Sequence, residues 1–103
     1  MFKFDNSYSK LPDVLFERVD PVAVKSPTII KFNHALGQKL GLDFECLGSG
    51  VGAKLFSGNE LFQKSEPLAM AYAGHQFGSW APRLGDGRAV LLGEVVDEDG
   101  QRQ

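Results

Sequence analysis

Two glycines bracketing an aspartate, with an arginine next in line, form the stretch best suited to chemistry: Gly85-Asp86-Gly87-Arg88. Glycine lets a backbone approach a ligand closely, or take positive φ, without steric cost. Such a loop can present backbone N–H groups and a guanidinium to a phosphate. The same Asp-Gly pair also makes an ordinary hairpin turn that binds nothing. In that case Arg88 forms a surface ion pair with Asp86 or Glu94, of little energetic weight. The other reactive side chains are scattered. Cys46 sits among Phe44 and Leu47, which reads as a buried structural thiol with no His or Lys to activate it. His34 lies off the nearest apolar stripe and reads as solvated or packed. His75 either points toward a site or packs. No second His, Cys or carboxylate cluster completes a metal site.

Three kinds of phosphate loop can be compared. A Walker loop needs GxxxxGK followed by Ser or Thr, and no Lys follows Gly87 at that spacing. A dinucleotide fingerprint needs GxGxxG between a strand and a helix; Val90 stands where the third glycine belongs, and a strand pattern follows. The third kind lies between two antiparallel strands, as in kinase-like N-lobes. Phe77–Leu84, the glycine turn and Arg88–Val96 fit that arrangement best.

The elements that must position the loop read as α+β. Residues 1–27 form an extended lead with scattered apolar anchors, broken by Pro12, Pro21 and Pro27, with a short strand within Val14–Val19. Residues 28–74 read as a helical segment. Its main helix covers 28–40, with Ser26 as N-cap, Pro27 first, an apolar stripe of Ile29, Phe32, Leu36 and Leu40, and Gly41 as the stop. Short turns follow, one capped by Asp43 and one over Val51–Phe56. A second helix spans 65–74, capped by Ser65 and apolar on nearly every side, hence buried. Residues 75–103 begin a sheet that carries the glycine loop. Arg88–Val96 is apolar on both faces, as in a central covered strand, and Asp97–Gly100 is a turn. Few residues follow, so the chain reads as the front piece of a longer protein, an incomplete domain whose open strand edge invites self-association.

Composition narrows the function classes. The chain has 103 residues, 43% of them hydrophobic and 11% aromatic, which is enough for one core or part of one. A net charge of -2 without a basic face argues against a nucleic-acid partner. One cysteine excludes an internal disulfide and fits a reducing compartment. No apolar run approaches the length of about 20 residues that spans a bilayer, and the N-terminus lacks a signal-peptide core. The expectation is a cytoplasmic protein with no membrane partner.

The stretch Ala69-Met-Ala-Tyr-Ala-Gly-His-Gln-Phe-Gly78, followed by Leu84-Gly-Asp-Gly-Arg-Ala89 and Leu92-Gly-Glu94, closely resembles the selenoprotein O (SelO/YdiU) family. The resemblance covers nearly the whole chain. It includes Asn6, Tyr8 and Leu11-Pro12, Leu36 to Leu42, and Phe56-Ser57-Gly58-Asn59. It implies a protein-kinase-like fold that looks like a pseudokinase by motif. It implies transfer of AMP from ATP, with Mg or Mn, to Ser, Thr or Tyr hydroxyls of protein substrates. Carried over by match, Gly85, Gly87 and Arg88 are implied to contact the ATP phosphates. The catalytic aspartate, the strand lysine and the metal-binding Asn and Asp of the family have no counterpart here. This piece is therefore expected to be inactive alone, with no catalytic or metal residue of its own. The alternatives are a noncatalytic scaffold or dimerisation module and a nucleotide-binding relative without transfer activity.

Overall fold

The computed structural model describes residues 2–85, 87 and 89–103, with Phe44 described by its backbone alone. It is α+β. Two 3-10 turns, Tyr8–Lys10 and Asp13–Leu15, lead into β1, Phe16–Arg18. Three short helices follow: α1 His34–Lys39, α2 Phe44–Leu47 and α3 Gly50–Phe56. Two longer strands, β2 Leu68–Gln76 and β3 Ser79–Gly85, complete a three-stranded antiparallel sheet in the order β1-β2-β3.

The expected helix over 28–40 is confined to its last half. Thr28, Ile29 and Ile30 are consecutive β-branched residues, which lose side-chain freedom in a helix. Ser26 has φ 50°, outside helical space. The cap is instead Asn33, whose side chain accepts from the Leu36 N–H at 3.0 Å. Asp43 caps α2 as expected, accepting from the Glu45 N–H at 3.0 Å.

The expected helix over 65–74 is a strand. Leu68, Met70 and Tyr72 alternate with Ala69, Ala71 and Ala73, a large/small pattern of period two. β1 pairs along one edge of β2, with Glu17 opposite Ala69. β3 pairs along the other, with Trp80 opposite His75 and Gly85 opposite Ala71. Pairing on both edges overrides the helical preference of Ala and Met.

The Arg88–Val96 segment is not a regular central strand. It touches the sheet through a bridge between Leu91 and Leu68, and Val95 bridges Phe4. Its residues 90–94 are half-buried rather than covered. The core lies beside the sheet, where Leu47, Leu55 and Phe62 pack with Phe2, Phe4, Phe32, Leu42 and Leu92. Phe2 meets Phe62 edge-on at 4.9 Å between ring centroids.

Candidate functional site

The hairpin tip is Phe77-Gly78, between β2 and β3, and not the glycine loop. Gly85 lies opposite Ala71, and Leu91 lies opposite Leu68 on the same edge of β2. Six steps of chain, 85 to 91, thus face three steps of β2, 71 to 68. The described flanks of the glycine motif, Gly85 and Leu91, therefore follow one strand line along β2. The expected antiparallel hairpin around it is absent because both flanks run along one neighbour. Asp86 and Arg88 lie outside the described residues.

Gly85 and Gly87 line a cavity of about 730 Å³. No atom lies within 4 Å of where a Cβ would sit on either glycine. Packing among the described residues therefore gives no reason for glycine there. Unfilled space over both backbones is what close approach by a ligand needs. Val90 and Leu92 continue this wall. The facing wall comes from the lead, through Glu17, Val19 and Asp20 to Val22, and Phe56 closes a side. These lead residues were not singled out from sequence, because only the β1–β2 pairing brings them here.

The described lining carries two carboxylates, Glu17 and Asp20, and no cation. A phosphate entering here needs positive charge from elsewhere. No group of three or more His, Cys, Asp or Glu among the described residues could hold a metal ion. Cys46 is exposed rather than buried, because α2 turns it outward while Leu47 fills the core. His75 stands at the exposed end of β2 and meets Trp80 edge-on at 5.1 Å, outside the lining of the cavity.

A second polar centre lies just past the loop at Glu94, which the sequence offered only as a surface ion-pair partner of Arg88. The Glu94 carboxylate accepts from the Ser7 N–H at 2.8 Å, the Ser7 hydroxyl at 2.6 Å and the Tyr8 N–H at 2.7 Å. Arg102 lies 3.6 Å away, and the Glu94 side chain is only 13% exposed. Burial works against its charge, but the Ser7 hydroxyl, the two backbone N–H groups and Arg102 outweigh it and hold the carboxyl below its ordinary value. The signal was available: an acid within Leu-Gly-Glu-Val-Val is a charge that must be paired.

The whole chain, residues 1–103, matches the family model described as Protein adenylyltransferase SelO. It is 52% identical over 103 residues to the protein nucleotidyltransferase YdiU of Alkalilimnicola ehrlichii, covering 100% of this chain and 21% of that protein. It is 57% identical over 100 residues to the protein of the same description from Rhizobium rhizogenes, covering 97% and 20%. The Rhizobium meliloti protein is 56% identical over 102 residues, covering 99% and 21%. The chain thus spans about a fifth (20–21%) of the length of these curated relatives.

Proposed function

The chain belongs to the SelO family of protein adenylyltransferases, and from that premise we propose that it supplies the ATP phosphate-binding loop of a protein AMP-transferase. In that reaction a Ser, Thr or Tyr hydroxyl of a protein substrate attacks the α-phosphorus of ATP. A new O–P bond forms, the bond from the α-phosphorus to the bridging oxygen breaks, and pyrophosphate leaves. The hydroxyl proton passes to a base. The share of residues 1–103 is binding. Gly85 and Gly87 let backbone N–H groups reach the phosphates, and Arg88 adds a charge-assisted contact. No residue here is assigned to the base or to the Mg or Mn that accompanies ATP, so this stretch is inactive alone.

The observation that carries the assignment is the open face of Gly85 and Gly87 over the 730 Å³ cavity. A volume of this size suits a small-molecule ligand. The test is incubation of the full-length protein carrying this sequence with ATP, Mg²⁺ and a protein extract, followed by mass spectrometry. Proteins bearing one added AMP on a hydroxyl are expected. Bound ATP without AMP transfer would replace this reading by that of a nucleotide-binding relative. Neither binding nor transfer would leave a scaffold module.

A further inference from the structure

We propose that Glu94 is the positioning residue of the glycine cavity: its carboxylate ties the two facing walls together without touching what lies between them. The inference rests on the nucleotide-binding reading above.

One wall is the segment that leaves the loop, through Gly87, Val90 and Leu92. Its register on β2 comes from the paired bonds of Leu91 with Leu68, at 2.9 and 3.1 Å. Beyond that point Glu94 holds it. The Glu94 N–H donates to Asn6 Oδ1 at 3.0 Å, and its carbonyl accepts from the Asp5 N–H at 2.7 Å. Its side chain gathers Ser7 and Tyr8. Gly93 lets the lead lie this close, since a Cβ there would come within 2.3 Å of the Phe4 ring.

The other wall is the lead from Glu17 to Val22. Tyr8 links it to Glu94. The Tyr8 hydroxyl donates to the Leu15 carbonyl at 3.2 Å, and its ring meets Phe16 at 6.2 Å, one residue before Glu17. A contiguous path therefore runs from Glu94 through Tyr8 to β1 and the cavity. Glu94 itself is not among the residues lining that cavity.

Asp97 provides a matched control. It is also buried and also gathers backbone N–H groups, from Gln101 at 2.9 Å and Asp99 at 3.0 Å. Its partners Gln103 and Lys39 lie away from the cavity walls.

The experiment is calorimetric titration of the full-length protein with ATP and Mg²⁺, well below the unfolding temperature of each variant. In Glu94→Gln the amide oxygen can still accept from the Ser7 and Tyr8 N–H groups, but the acceptor for the Ser7 hydroxyl and the charge facing Arg102 are lost, and the Kd is expected to rise about tenfold. Asp97→Asn is expected to lower the unfolding temperature with Kd unchanged. Should Glu94→Gln fail to fold, Tyr8→Phe removes only the hydroxyl link and should raise Kd about threefold. A folded Glu94→Gln with unsubstituted affinity overturns the inference. So does an equal rise in Asp97→Asn, or an unchanged Kd in Tyr8→Phe when that variant alone is available. Absence of ATP binding by the unsubstituted protein overturns the nucleotide-binding reading and this inference together.

Discussion

A carboxylate set in an apolar segment demands partners, and Glu94 finds them in the lead of the chain. Asp97 finds its own in the turn that follows it: the Gln101 N–H chiefly holds its carboxyl low, against burial, with help from Gln103, Asp99 and Lys39. Glu66 is held low mainly by the Ser9 hydroxyl. In all three the folded state binds the proton less readily than the unfolded chain. The stability they confer is therefore present above the ordinary carboxylate values of 4.5 and 3.8 and is lost as pH falls through the lowered values of the folded state. Urea midpoints should be flat near neutrality and drop on acidification, with a shallower drop in Glu94→Gln. A pH-independent midpoint would contradict this. The glycine motif was legible because it is defined by residue type over adjacent positions. The Glu94 clamp was not, because its partners lie 86 and 87 residues away.

Among the elements, those fixed by local chemistry were legible. β1 falls within Val14–Val19, α3 covers Val51–Phe56, and Asp97 shapes the turn at its expected place. β2 was not, because Ser65, Pro67 and the alanines carry helix signals while its partners come from residues 16–18 and 79–85. The alternation of Leu68, Met70 and Tyr72 with three alanines was the competing strand signal. The glycine loop was placed at a hairpin tip for a related reason: Phe77-Gly78 takes that position, with φ 52° and 79°. The contact of the lead with the segment after the loop is also testable. Gly93→Ala would force the Phe4 ring or the strand to move. It should cost about 1–3 kcal/mol of stability by urea denaturation, the usual range for overpacking. A change below about 0.5 kcal/mol, as at an ordinary surface site, would show that the lead yields freely.

The molecule as a whole is more open than a closed domain of its length. Its radius of gyration is 15.6 Å, against about 13 Å for a compact domain of roughly 100 residues. Ile30 and Phe77 are 100% and 97% exposed, and Val22 on the cavity wall is 86% exposed. No described helix is long and apolar enough to cross a membrane. Surface of this kind favours association. The isolated 103-residue chain is expected to self-associate at high concentration, through these patches and the β3 edge. Pro82 withholds one N–H from that edge and should keep the pairing weak. A strict monomer in sedimentation would count against this. The decisive experiment is ATP titration of the full-length protein beside its Arg88→Ala variant. If the loop receives the phosphates, loss of a charge-assisted contact should weaken binding about 10- to 100-fold while the variant stays folded. Equal affinity in the two proteins would contradict the account and return Gly85–Arg88 to an ordinary turn.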